Sequence, residues 1–394
     1  MNAIETDLSQ MPRNSRKNVV LVVDSGESTA QEIARMVDRL PNFAARLAPV
    51  DALRKPGGIA TPAVIVFDFG QIGEEQLEQI AAVRSNFEPV PVVVVSEALN
   101  DEQVRKLLKL KVSDWLRHPL HPEELLTALQ VGVRQNKQTQ NRVHAVISAV
   151  GGAGATSVAI SLADILAQKT ARQDQLVALF DLDFSTGSCG YYLNLRSNFA
   201  LESALSQPSR IDAEFVRLLE QRHPAGFYVY SFRNRDTVTH LNCYELVLRL
   251  LDAVSFQHSH TVLDIPYYET DWRQDVLAAV NSVTIVSDIT LPSINQTLEI
   301  LKSLNGTPAA DKQINILLNK QKSTLFGGGR FKTAKLKALF GETPFHFLPE
   351  DEADLADAMD RGILPSEVNS SGKFVKALRK FAQATLLAER VEVK

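Results

Sequence analysis

The stretch "VISAVGGAGATSVAISLADILA" begins at Val146 and carries the residue types of an anion-binding loop. Gly151, Gly152 and Gly154 free the backbone, so that successive N–H groups can converge on one anion. Ala155 opens an apolar helical run, whose positive end faces the same point. Thr156 and Ser157 add hydroxyls suited to a phosphate or a metal. The chemistry is polyphosphate binding. Yet the loop has no lysine, so its hold would come from backbone, hydroxyls and a magnesium ion. Phosphoryl transfer asks for more, because it depends on charge aimed at the moving group. Little or no hydrolysis is expected, and no residue elsewhere in the sequence is marked as a replacement cation.

Other chemistry-bearing residues stand at the ends of apolar runs. "QLVALFDLDFSTGS" ends in Asp181 and Asp183, "HTVLDIPYYE" in Asp264, and "QINILLNKQ" in Asn319-Lys320. Asp181 reads as structural. A second set precedes these: Asp24, Asp68, Ser96 and His118-Pro119. Cys189 and Cys243 read as reduced thiols, since no CxxC pair exists. His258 and His260 in "QHSH" lack a third ligand nearby, so they read as the polar end of a helix before a strand.

The elements that must position these residues alternate between strand and helix signals. "NVVLVVD", "AVIVFDFG" and "VPVVVVSE" are buried-strand runs, and "TAQEIARMVDRL" and "DEQVRKLLKL" have helical periodicity. Such alternation predicts an α/β fold, with parallel sheets covered on both faces and function at the carboxyl ends of strands. The polar segment "QNKQTQNR" reads as a linker. The expected division is a flexible tail over 1–17, a first domain over 18–133, a linker over 134–143 and a second domain over 144–390.

The 394 residues carry 42 Lys and Arg against 46 Asp and Glu, a net charge of −4, which gives no global field for nucleic acid or anionic lipid. The start of the chain lacks the apolar segment of a signal peptide, and the apolar runs are strand-length. A cytoplasmic protein is expected. Lys320, Lys322, Arg330, Lys332, Lys335 and Lys337 make one basic segment, read as a mobile loop and a solvated helix face. The last helix places Phe374, Val375, Leu378 and Phe381 on one side, which reads as core packing.

The first domain resembles response-regulator receiver domains, which are flavodoxin-like. Asp68 matches the phosphoryl-accepting aspartate, Asp24 one metal-binding acid, Ser96 the switch hydroxyl, and His118-Pro119 the Lys-Pro segment. Ser25 replaces the second acid and His118 the lysine, which implies a pseudo-receiver used for docking or dimer contacts. The second domain resembles the MinD/ParA class of P-loop ATPases. In its loop pattern, KGGxGK[ST], both lysines are replaced, by Val150 and Ala155. The resemblance implies ATP and Mg²⁺ as ligands. Gly151, Gly152, Gly154, Ala155, Thr156 and Ser157 would line the phosphates, and Thr156 and Asp264 would hold magnesium. Asp183 would be the switch aspartate that orients water, and Asn319 would read adenine.

The order of these two domains is similar to that of the TadZ/CpaE family. This implies an assembly and polar-localisation factor of tight-adherence (Flp, type IVc) pili: a homodimeric scaffold with a degenerate ATPase domain. Its expected partners are the pilus secretion ATPase and other Tad machine components, met at the inner face of the membrane or the cell pole. Nucleic acid is not expected, and membrane contact would be indirect. Two alternatives stay open: an active ATPase cycling between monomer and dimer, and a phosphorylation-controlled regulator with an ATPase-like output domain.

Overall fold

The computed structural model describes residues 17–24, 29–53, 61–171, 175–195, 202–233, 243–305, 312–322 and 332–387. Expectations for residues 1–16, Ser25, Arg330, the glycine run at 327–329 and the chain beyond 387 lie outside the described residues. The chain forms two compact units, residues 1–140 and 141–394.

In the first unit, β1 (Asn18–Asp24), β2 (Phe43–Pro49), β3 (Val64–Asp68), β4 (Val92–Ser96) and β5 (Asp114–Arg117) form one sheet. The order is β2-β1-β3-β4-β5, and every pairing is parallel. This is the doubly wound order of flavodoxin-like folds. The runs "VIVFD" and "VVVVS" are buried at every position, as strands covered on both faces require. Helix Pro122–Gln140 follows. Residues 134–143, expected as a linker, are therefore helix up to Gln140 and strand from Arg142. The reason is local. Gln, Lys and Arg favour helix, and no Gly or Pro interrupts them before Asn141.

The second unit is built on β6 (Arg142–Ser148), β7 (Val177–Asp181), β8 (Gln221–Arg222), β9 (Tyr228–Tyr230), β10 (His260–Ile265), β11 (Ser282–Asp288), β12 (Gln313–Gln321) and β13 (Phe345–Pro349). Their order is β13-β12-β11-β6-β10-β7-β9-β8, parallel except between β8 and β9. In the centre, Asp264 pairs in register with Asp181 on one side and Val146 on the other. In-register neighbours share a face, so the two acids stand side by side.

Helix Ala155–Thr170 leaves the loop buried along most of its length, through Val158, Ala159, Leu162, Ala163 and Leu166. Phe374, Val375, Leu378 and Phe381 of helix Lys373–Ala384 are buried in the same core. Among the described residues, no helix is long and apolar enough to cross a membrane.

His260 stands next to His144. Its Nδ1 lies 3.0 Å from His144 Nε2, and His144 Nδ1 lies 2.9 Å from Ser282 Oγ. His258 is held separately, 2.8 Å from the Val254 carbonyl.

Candidate functional site

The carboxyl ends of β6, β7, β10 and β12 bring together the glycine loop, Asp181, Asp183, Asp264 and Asn319. Between β6 and the helix, Gly152 and Gly154 adopt left-handed backbone, φ +78° and +98°. This curls the loop over the start of the helix. Within the described residues, the N–H groups of Gly154, Ala155, Thr156 and Ser157 donate to no backbone carbonyl. These are the donors an anion takes at a helix start.

The loop is held from outside by β12. Asn319 donates through Nδ2 to the Ala153 carbonyl at 2.9 Å. Lys320 donates through Nζ to the Gly152 carbonyl at 2.7 Å. A trans peptide sets its C=O and N–H in opposite directions. Holding the Ala153 carbonyl therefore fixes where the Gly154 N–H points. The Tyr267 ring, exposed at the same mouth, lies beside Gly151.

Behind the loop, Asp181 and Asp264 are buried. Asp181 accepts hydrogen bonds from the N–H groups of Cys189 and Asp183 and from the Ser231 hydroxyl. Asp264 accepts from the Cys189 thiol at 3.4 Å, and the Thr156 hydroxyl stands near enough to favour its charged form. Burial, with repulsion from Asp264, pushes the Asp181 carboxyl well above the usual range. Burial likewise raises Asp264, against the lowering effect of Thr156 and Cys189. Burial, beside the two acids, holds Cys189 as the neutral thiol.

Asp181, Cys189 and Asp264 are the one group with metal-ligand spacing among the described residues, their ligand atoms all within 4.8 Å. The Thr156 hydroxyl and Asp264 carboxylate are hard oxygen donors and fit magnesium. The soft, neutral Cys189 thiol does not, and it serves as a hydrogen-bond donor behind them.

Asp183 is tied to its own turn. Its carboxylate accepts from the N–H groups of Ser185 and Thr186, from the Thr186 hydroxyl at 2.5 Å and from the Tyr268 hydroxyl at 2.6 Å. Burial and the Asp183 carboxylate push Tyr268 well above its usual range, so it stays a donor. Oδ1 takes three of these bonds and Oδ2 one, so the carboxylate is largely committed to its own turn and to Tyr268.

Sequence reading missed Cys189, Ser231, Tyr267 and Tyr268 as parts of the site. Only the two tyrosines carried a signal, since they directly follow the Asp264 strand. Lys320, expected both at the end of the "QINILLNKQ" run and as the first cation of the basic segment, lies in β12, which ends at Gln321.

The first unit has its own cluster. Asp68 ends β3 only 1% exposed, and His118 Nε2 lies 2.7 Å from its Oδ1. The Ser96 hydroxyl donates to the Glu97 carbonyl and accepts from Trp115 Nε1 at 2.8 Å. Asp24 stands at the end of β1, beside β3. The Asp68 carboxylate thus lies buried beside an imidazole. Treatment with acetyl phosphate is expected to leave the intact mass unchanged. One added phosphoryl group, absent in Asp68→Ala, would show that Asp68 is reactive.

No protein-family model matches this chain, and no curated protein matches it. Solved structures do match. The ParA family ATPase from Chlorobium tepidum TLS aligns with TM-score 0.54 at 19% identity, covering 62% of this chain and 98% of that one. The Pyrococcus furiosus cell division ATPase MinD aligns at 0.51 and 17%, covering 63% of this chain and 100% of that one. The Pyrococcus horikoshii OT3 septum site-determining protein MinD, complexed with Mg-ADP, aligns at 0.50 and 16%, covering 63% and 99%. At these identities the shared property is the fold, that of ParA/MinD P-loop ATPases.

Proposed function

We propose that this chain is a nucleotide-binding scaffold of TadZ/CpaE type, an assembly and polar-localisation factor for a tight-adherence pilus. Its second unit binds ATP with magnesium and dimerises. The nucleotide acts there as a structural ligand and is scarcely hydrolysed. The first unit docks partners, the pilus secretion ATPase among them, at the cytoplasmic face of the membrane.

One observation carries the nucleotide part of this reading. The loop keeps its left-handed glycines and unpaired N–H groups beside Thr156 and Asp264, while Val150 and Ala155 stand where the class has lysine. Binding needs the first set, and fast transfer needs the second. When bound, magnesium supplies positive charge between the phosphates. The protein's part is to hold it with Thr156 and Asp264 and to keep Asp183 occupied by Tyr268. The pilus assignment rests on the order of the two units and on the Asp68–His118 pair, which suits docking better than phosphorylation.

In a phosphate-release assay, wild type is expected to release phosphate at the buffer rate, and Asp183→Ala to match it. Calorimetry of the same protein is expected to report ATP binding that depends on magnesium. Turnover above buffer that disappears in Asp183→Ala would replace this reading with that of an active ATPase.

A further inference from the structure

We propose that Lys320 is the phosphate-loop cation of this protein, delivered by β12 instead of by the loop. The inference rests on the ATP-binding reading above. Its starting point is a deficit. The loop from Val150 to Ser157 contains no charged side chain, yet a polyphosphate brings several negative charges to it. The Lys320 ammonium lies against that loop, 2.7 Å from the Gly152 carbonyl.

Two backbone features aim it there. Lys320 has φ +58°, a left-handed conformation uncommon for a side chain of this size. The β12–β13 pairing also shifts register between Leu318 and Gln321, around the same residue. Such an irregularity bends a strand and re-aims a side chain. Here it turns the lysine from the strand towards the loop.

Among the described residues Lys320 makes no contact ion pair. Its charge helps to lower the Asp288 carboxyl through space, but that carboxylate, in register with Asn319, takes its hydrogen bonds from the N–H and hydroxyl of Thr290. An ammonium has three donors, and Gly152 takes one. The others are available to a phosphate, and the side chain is exposed enough to follow it. Asn319 and Lys320 thus divide the work. The amide orients the Ala153–Gly154 peptide, and the ammonium adds the positive charge the loop lacks.

The test compares ATP with adenosine, both with magnesium, by calorimetry on the full chain. Wild type is expected to prefer ATP. Lys320→Met is expected to lose about tenfold in ATP affinity, the weight of one charge-assisted hydrogen bond, and to keep its adenosine affinity. Lys320→Arg is expected to retain most of the preference. Adding Ala155→Lys to Lys320→Met is expected to restore it by returning a cation to the loop. Circular dichroism checks that each variant is folded. Equal ATP affinity in wild type and Lys320→Met overturns the assignment and leaves the nucleotide reading standing. Equal loss of ATP and adenosine also overturns it, since Lys320 would then only brace the loop. No ATP binding by wild type overturns both.

Discussion

Gly154→Ala is expected to weaken binding of ATP with magnesium by roughly 30- to 700-fold, and Gly152→Ala by roughly 5- to 30-fold. Both glycines are left-handed, so a Cβ strains the backbone at each. Their surroundings differ. A Cβ on Gly152 meets nothing within 4 Å, so strain of about 1–2 kcal/mol is the whole cost. A Cβ on Gly154 comes within 2.5 Å of Asn319 Nδ2, the atom that holds the Ala153 carbonyl. Relief requires either expelling Asn319 or rotating the peptide, and both move the Gly154 N–H off the phosphate. Losing that bond adds about 1–2 kcal/mol to the strain. Gly151→Ala serves as the control. Its Cβ would sit 3.5 Å from the Tyr267 ring, an ordinary contact on unstrained backbone, and near-neutral binding is expected. Calorimetric titration of the three variants gives the ranking. Equal losses for Gly152→Ala and Gly154→Ala would remove the Asn319 contact from the account.

The second large effect is on stability against pH, and it comes from His144 and His260. Burial, then the neighbouring His260 and Arg142, lowers His144 to about 3. Burial, then Arg142, lowers His260 to about 4. In the unfolded chain both titrate near ~6.5. As pH falls from there, the unfolded chain binds protons that the folded one refuses, so stability falls. At pH 5 each imidazole costs about 2 kcal/mol, and the pair about 4 kcal/mol. Asp181 and Asp264 act with the opposite sign. Their raised values mean the folded state holds protons that the unfolded state has lost, so their contribution is lost as pH rises.

The two effects partly cancel in wild type, and the difference between variants separates them. Between pH 7.5 and pH 5, His144→Gln/His260→Gln is expected to lose about 4 kcal/mol less stability than wild type. Urea unfolding followed at the buried Trp272, in a Trp115→Phe background, reads the second unit. Parallel pH profiles for the two proteins would exclude the histidine pair as the source.

Much of the fold was legible in the residues. Apolar runs such as "VIVFD" and "VVVVS" have one stable place, the middle of a covered parallel sheet, and acids at their ends fall at its carboxyl edge. The loop was legible too, because strand, glycines and hydroxyls are consecutive. The end of the first unit was less so. "RQNKQTQ" is polar, and polarity alone does not separate a linker from an exposed helical turn. Chain continuity from helix Pro122–Gln140 decided it.

By itself, then, the sequence determined two α/β units, a phosphate-type loop without lysine, and Thr156, Asp183, Asp264 and Asn319 as its companions. Tertiary structure alone decided who touches whom. It set Lys320 on the carbonyl of Gly152, 168 residues away. It placed Cys189 between two carboxylates, closed Tyr268 over Asp183, laid His118 on Asp68 and paired His144 with His260. All of these contacts but that of Cys189 with Asp181 join elements distant along the chain. Strand order, register and one irregular strand end create them, and no local spacing records those.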